Sequence, residues 1–328
     1  MQSGSGSEKK NNVGLGIDLG GTKIAAALFS FNGMISPKEV LYLENKVGNQ
    51  VAEQIIEIIH FFWKWADKNE LRISAIGIAV PGIYYSKTGR VWAPNVPGWE
   101  DYPLLEELSN IFNDIIIKID SDRACYILGE TWKGSSMGCK NAIFLAVGTG
   151  IGAGILIDGQ VLRGANDIAG AIGWMALTSP YLSEYKHYGC FEYHASGPGL
   201  NRMAEKNSEN NTDLFKDADQ ITDDQITSMN IFDAYRKDHP TAIKVIRQSV
   251  EFWGKASANL VSLFNPEKII FGGGVFGPAI QFLDEIYLEA KKWAQPISIN
   301  KVKFEPSKFG GEAGLYGAGY LSLYQNDI

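Results

Sequence analysis

The segment Gly16-Ile17-Asp18-Leu19-Gly20-Gly21-Thr22-Lys23, followed by the apolar run 24–29, sets one carboxylate beside a glycine turn between two stretches of strand-forming residues. Gly20 and Gly21 carry no Cβ, so the turn can take positive φ and bring backbone N–H groups close to an anion. Asp18 is a hard oxygen donor, suited to a Mg²⁺ ion that carries nucleotide phosphate. Its other reading is an acid at the edge of a tight hairpin. A P-loop is excluded: Thr22-Lys23 reverses the order that motif needs, and β-branched and small residues continue where its helix should begin. A second carboxylate, Asp122, follows an apolar strand and precedes a helical stretch, where it would serve either as a general base on a rigid floor or as the N-cap of that helix.

Two more glycine clusters extend the phosphate reading. Gly148-Thr149-Gly150-Ile151-Gly152 has the glycines of a dinucleotide fingerprint, but a strand follows where a helix N-terminus would have to take the pyrophosphate, so a nicotinamide site is not expected. A hairpin that contacts phosphate through backbone N–H groups and the Thr149 hydroxyl fits better. Gly272-Gly273-Gly274 lies between a strand and a helix, where a flat ligand can press on bare backbone. Each cluster alone reads as a close-packed turn.

The elements that must position these groups follow from periodicity. Strands are expected from Val13 to Phe31 around the first turn, at Ile73 to Val80, at Ile115 to Asp120, at Ala142 to Val147, at Ala153 to Ile157 and at Lys268 to Phe271. Helices are expected over Gln50 to Asn69, Arg123 to Trp132, Thr241 to Phe264, Val275 to Ala294 and Gly311 to Gln325. The order strand, Gly/Thr turn, strand occurs twice, about 130 residues apart, and implies an internally duplicated α/β architecture with a phosphate hairpin in each half and the ligand in the cleft between them. Residues 1–12 read as a flexible polar tail, and 207–223 as a polar loop without visible chemistry.

With 328 residues, 45% of them hydrophobic, the chain is long enough for two domains. No apolar run approaches the roughly 18 residues of a membrane helix. A net charge of −7 without a basic cluster argues against a nucleic-acid surface. Three cysteines at no recurring spacing fit reduced thiols, and the cytoplasm is the expected compartment.

Taken together, Asp18 to Thr22, Gly148 to Gly152 and Gly272 to Gly274 resemble the phosphate-1, phosphate-2 and adenosine segments of the actin/hexokinase/Hsp70 ATPase superfamily. Within it the chain resembles the ROK family of bacterial sugar kinases and sugar-responsive repressors, from Val13 to Tyr320. The supporting residues are Gly77-Ile78-Ala79-Val80-Pro81-Gly82, Ala93-Pro94-Asn95-Val96-Pro97-Gly98-Trp99, Ser121-Asp122 ahead of Glu130, Gly189-Cys190-Phe191-Glu192 and Ser196-Gly197-Pro198-Gly199-Leu200. The resemblance implies a two-domain actin-like ATPase (ribonuclease H-like) fold with an interdomain active-site cleft, residues 13–122 plus 311–328 forming the smaller domain and 123–310 the larger. It further implies ATP-dependent phosphorylation of a sugar hydroxyl with Asp122 as base. Asp18 would hold Mg²⁺; Gly20, Gly21, Thr22, Lys23, Gly148, Thr149, Gly150, Gly272, Gly273 and Gly274 would hold ATP. Pro81, Gly82, Asn95, Ser121, Trp174 and Glu192, with help from Asp101, would contact substrate. A homodimer is expected. The family's repressors carry an N-terminal helix-turn-helix, for which the 12 polar residues before the first strand leave no room, so DNA binding is not expected.

The chain also departs from the family pattern. The Gly-Glu-Ile-Gly-His segment, in which the family's glutamate meets sugar hydroxyls and its histidine meets sugar and a structural zinc, is here Gly170-Ala171-Ile172-Gly173-Trp174. The cysteine-rich zinc stretch becomes Ser183 to Cys190 with a single thiol. His187, Cys190 and His194 are three ligands without a fourth, short of a tetrahedral structural site, so no zinc is expected. Ser121 stands in place of the usual asparagine beside the base. Loss of the acceptor at position 171 implies weaker recognition at the anomeric end of a sugar ring, and hence a substrate modified there, such as a glycoside, disaccharide or cyclitol. Trp174 would be either a stacking platform or a filler of the vacated volume. The alternative to catalysis is a pseudokinase or sensor that binds sugar without turnover.

Overall fold

The computed structural model describes residues 12–207 and 227–324; the expected tail before Asn12 and nearly all of the expected loop at 207–223 lie outside them. Backbone contacts divide the chain into two units, one running to Gly138 and including Gln160–Ala169 and everything from Glu312, the other comprising Cys139–Gly159 and Gly170–Gly311. The first unit thus extends to Gly138 rather than ending at Asp122, because the helix that follows the candidate base packs with the first sheet.

The first unit opens with β1 (Asn12–Leu19), β2 (Lys23–Ser30), β3 (Gly33–Met34) and β4 (Glu39–Tyr42), followed by α1 (Asn49–Lys68) and β5 (Arg72–Val80). A small hairpin, β6 (Ile83–Tyr85) and β7 (Arg90–Trp92), leads to α2 (Leu104–Ile111), β8 (Ile116–Ser121) and α3 (Asp122–Lys133). Its sheet runs β3-β2-β1-β5-β8, with β4 also paired to β2. The β1–β2 pair is antiparallel and the β1–β5 and β5–β8 pairs are parallel.

Side chains alternate across this sheet, as strand geometry requires. Val13, Leu15, Ile17 and Leu19 of β1 and Ile76, Ile78 and Val80 of β5 join the core formed with Val51, Ile55, Ile59 and Phe62 of α1. Gly14 and Gly16 of β1 and Gly77 of β5 turn to the other face, where a Cβ on Gly77 would lie 2.0 Å from the Ala318 carbonyl oxygen. That face receives the C-terminal helix.

The second unit starts with β9 (Ala142–Val147) and β10 (Ile151–Ile157); β11 (Gln160–Val161) belongs to the first. Short helices α4 (Tyr185–Tyr188) and α5 (Cys190–Ala195) precede α6 (Gly197–Asn207), α7 (Ser228–Arg236), α8 (Pro240–Phe264), β12 (Lys268–Gly272), α9 (Leu283–Trp293), α10 (Pro296–Ile299) and β13 (Lys303–Pro306). The path β10-β9-β12-β13 repeats the path β2-β1-β5-β8, one antiparallel pair followed by two parallel ones. The duplication expected from the glycine hairpins is therefore present in strand order. Pro240 opens α8 at a position whose N–H would be unpaired anyway, and Asn265 in the left-handed region ends it. The single helix expected over Val275 to Ala294 is instead a 3₁₀ turn at Gly274–Phe276, another at Pro278–Phe282, and α9. Pro278 has no N–H to continue a helix through that point.

The last helix, α11 (Ala313–Leu323), returns to the first unit and is buried on nearly every side. Its approach is backbone to backbone: a Cβ on Gly317 would sit 1.9 Å from the Cys125 carbonyl oxygen of α3. Gly317→Ala should therefore destabilise the protein by about 1–3 kcal/mol, the cost of overpacking a close-packed site. Gly311→Ala, where nothing lies within 4 Å of the added carbon, should change stability by less than about 0.5 kcal/mol. Urea unfolding of the two variants checks this.

Candidate functional site

The glycine face of the first sheet ends in acids. Strand register aligns Asp18 of β1 with Ala79 of β5, and Ala79 with Asp120 of β8, so two carboxylates flank a small residue in one row. Two residues beyond Asp120, Asp122 opens α3. The helix is capped not by Asp122 but by Ser121, whose Oγ accepts from the Ala124 N–H at 3.3 Å. Asp122 is thereby released from the capping role that sequence alone left open. Its Oδ1 accepts from the Arg123 N–H at 2.7 Å, and its Oδ2 from the Tyr126 hydroxyl at 3.2 Å, one helical turn on. Tyr126 was not singled out from sequence, although its i+4 spacing from Asp122 is the available signal.

The electrostatics of this row favour protonation. Burial, then the charge of Asp122, push Asp18 up to about 7, against the opposing pull of Lys23. Burial likewise raises Asp122, with Arg123 and its hydrogen bonds working the other way. Asp120 is pushed up to about 6 by burial despite its ion pair with Arg163, whose Nη2 lies 2.7 Å from Oδ2. Cys125, beneath these groups, is raised well above the usual thiol range by burial and by the charges of Asp120, Asp18 and Asp122. Asp120, Arg163 and Cys125 were also missed from sequence; the Asp-Ser-Asp run at the end of a strand was the only visible hint of the first.

The remaining first-unit candidates lie on the β1–β2 turn, on the turn after β5 and on the loop after β7. Gly20 N–H closes the β1–β2 turn on the Lys23 carbonyl at 2.8 Å, and Gly21, Thr22 and Lys23 are exposed. The positive φ expected at Gly20 and Gly21 is not adopted; a Cβ on Gly21 would come within 3.2 Å of the exposed Asn95, so close approach is what the position requires. Pro81 is buried, and Gly82, at φ 97°, offers its carbonyl to Arg123 Nη2 at 3.1 Å. Asp101 is engaged by Arg90, Nε to Oδ1 2.7 Å.

In the second unit the Gly148-Thr149-Gly150 turn is closed by Gly148 N–H on the Gly150 carbonyl at 2.9 Å, while the Gly148 carbonyl accepts from Gly197 at 2.8 Å; Thr149 and Gly150 are exposed. Glu192 of α5 reaches the same hairpin, its Oε2 accepting from the Ile151 N–H at 2.8 Å. Burial raises the Glu192 carboxyl, while that hydrogen bond and Arg202 oppose. The triple glycine divides by role. Gly272 is buried, with a Phe144 ring atom 2.3 Å from where its Cβ would be, so packing alone requires glycine there. Gly273, at φ 89°, and Gly274, with open space at its Cα, present the bare backbone.

Trp174 is 56% exposed, which removes the filler role. His194 Nε2 is engaged by the Tyr185 hydroxyl at 2.6 Å, and among the described residues no three His, Cys, Asp or Glu side chains are grouped to hold a metal. For Mg²⁺, the residues fit a partial site: Asp18 is a hard oxygen donor, and Asp122 adds negative charge nearby. Magnesium ordinarily keeps several waters and phosphate oxygens instead of a protein cage.

The sequence model described as "ROK family" matches residues 14–325. A glucokinase of Halalkalibacterium halodurans is 29% identical, over 95% of this chain and 96% of its own. A xylose repressor of Caldicellulosiruptor bescii is 31% identical over 84% of this chain and 68% of its own. The solved structure of a ROK family glucokinase from Streptomyces griseus, in complex with glucose and AMPPNP, superposes with a TM-score of 0.75 at 27% identity, covering 94% of this chain and 98% of that one.

Because native Asp18 holds a proton that the unfolded chain releases between about pH 4 and pH 7, its burial costs stability progressively as pH rises through that window. In metal-free buffer, Asp18→Asn should melt with the parent near pH 4 and above it near pH 8. A melting difference that does not widen with pH would contradict the assignment.

Proposed function

The chain belongs to the ROK family, and from that premise we propose that it is an ATP-dependent carbohydrate kinase whose substrate is a sugar or sugar-like alcohol altered near its anomeric end, with Asp122 as the base. Its α/β fold is the two-domain actin-like ATPase fold of ROK sugar kinases. The observation that carries the catalytic reading is the state of Asp122. It stands at a strand-to-helix junction, is held by Tyr126 and the Arg123 N–H, and is spared from capping by Ser121.

Phosphoryl transfer to an alcohol needs a positioned acceptor for the hydroxyl proton and donors around the transferring group. Asp122 takes the substrate O–H and receives its proton as the oxygen bonds to the γ-phosphorus of ATP, the bond from that phosphorus to the β–γ bridging oxygen breaks, and ADP leaves. Its raised affinity for a proton suits an acceptor that must hold one transiently. Arg123, which donates to the Gly82 carbonyl, couples the base to the Pro81-Gly82 turn that borders substrate. Backbone N–H groups at Gly21, Thr149 and Gly150, with the Thr149 hydroxyl, donate to phosphate oxygens, while Gly20, its own N–H held by the Lys23 carbonyl, shapes the β1–β2 turn, and Gly273-Gly274 offers a flat surface to the adenosine. Asp18 would hold a magnesium ion, which when bound would neutralise phosphate charge.

Substrate selection follows from what is absent and what is exposed. Ala171 cannot accept a hydrogen bond from a sugar hydroxyl, while the exposed indole of Trp174 can stack on the apolar face of a pyranose or of an aglycone. Glu192 and Asn95 remain to take hydroxyls on the ring.

Asp122→Asn should lower kcat by about 10²–10⁴-fold, the usual worth of general base catalysis, with ligand binding retained. In an ATP-coupled screen over hexoses, amino sugars, glycosides, disaccharides and cyclitols, the parent should prefer an anomerically modified compound. Free glucose or N-acetylglucosamine as by far the best substrate would refute the specificity; sugar binding without ATP consumption would replace the kinase with a sensor.

A further inference from the structure

Helix α5 is only six residues long, yet it carries Glu192, whose carboxylate must reach the Ile151 N–H across the second hairpin. So short a helix has little intrinsic stability and takes its orientation from packing. The residues that follow Glu192 show what supplies it. Arg202 of α6 lays its guanidinium 4.7 Å from the Tyr188 ring centroid and 4.8 Å from that of Tyr193, and donates to the Tyr193 carbonyl from Nη2 at 3.1 Å and Nε at 3.3 Å. His194 stacks on Phe252 of α8 at 4.6 Å and 11°, while its Nε2 meets the hydroxyl of the buried Tyr185. Arg202 of α6, Tyr185 of α4 and Phe252 of α8 thus hold the two residues that follow Glu192, Tyr193 and His194.

We propose that this metal-free clamp, with Arg202 and Tyr185 as positioning residues, fixes α5 so that Glu192 bridges the phosphate hairpin and the carbohydrate, making the two substrates' binding interdependent. The grip is strong in kind: an arginine held over aromatic faces and bonded to a carbonyl is stabilised by both cation–π attraction and charge-assisted hydrogen bonds. His194 remains uncharged through the neutral range, since burial and then the charges of Lys206 and Arg202 hold it down to about 4, so it keeps a partner for Tyr185 instead of adding a third positive charge. Lys206 completes the group, its Nζ bonded to the Tyr193 hydroxyl at 2.7 Å.

The inference rests on the kinase reading for its kinetic consequences, but the clamp can be tested without turnover. In ¹⁵N spectra of the full chain, the Ile151 amide proton is expected well downfield because of its carboxylate partner. Arg202→Ala and Tyr185→Phe should both shift it upfield toward the position it takes in Glu192→Gln, while Arg202→Lys keeps part of the downfield shift. With a carbohydrate substrate in hand, Arg202→Ala should raise its KM about tenfold, the worth of one buried hydrogen bond, with kcat changed less than about twofold. The ATP KM should rise with it. Should Arg202→Ala fail to fold, Tyr185→Phe, which removes one oxygen, decides. An Ile151 amide unmoved in Tyr185→Phe and in every folded Arg202 variant overturns the clamp, whether or not the protein turns over. Absent turnover with a shifted amide would instead sink the kinase reading and leave the clamp standing.

Discussion

The constraint on which the first unit depends is the backbone-to-backbone seating of α11 against β1, β5 and α3. Glycine and alanine occupy both sides of that contact, because a Cβ at Gly77 or Gly317 would overlap a carbonyl oxygen of the facing element. Contact this close does more than fill space. A Cβ on Gly314 would lie 2.7 Å from Asp18 Oδ2, so the helix also defines the room left to the carboxylate at the end of β1. The same helix fixes α3, whose first residue is Asp122. Asp18 and Asp122 are therefore both located by one packing surface, and their spacing is set by backbone geometry, which tolerates little adjustment.

That surface also explains the chemistry of the acids. Carboxylates crowded on the small-residue face of a sheet lose solvent and repel one another, and both effects favour protonation. Lys23 and Arg123 compensate only in part. A phosphate-bound divalent cation would relieve the repulsion between Asp18 and Asp122, and carboxylates perturbed in this way are candidates for a functional site.

Much of this was legible in the sequence. The strand-forming stretches around each Gly/Thr turn, repeated about 130 residues apart, announced a duplication that the strand order reproduces. What stayed hidden depended on tertiary partners. Ser121 and Asp122 are both good caps, and only the position of the Ala124 N–H separates them. Whether Trp174 is buried is a matter of what packs above it, and whether Gly272 meets ligand or Phe144 depends on a strand more than a hundred residues away. The helix expected over Val275 to Ala294 failed for a local reason that was in view, the proline at 278.

The seating of α11 has a consequence for biosynthesis. The first unit's sheet is translated well before α11, which together with α3 covers its face of glycine and alanine. Until that helix is made, β1 and β5 lack the partner that closes over Gly14, Gly16 and Gly77, while the second unit, contiguous apart from one short excursion, already has the strands and helices of its own core. Translation therefore delivers the later half as the earlier finished piece, and the nascent N-terminal half is the part that needs shielding from aggregation in the interval.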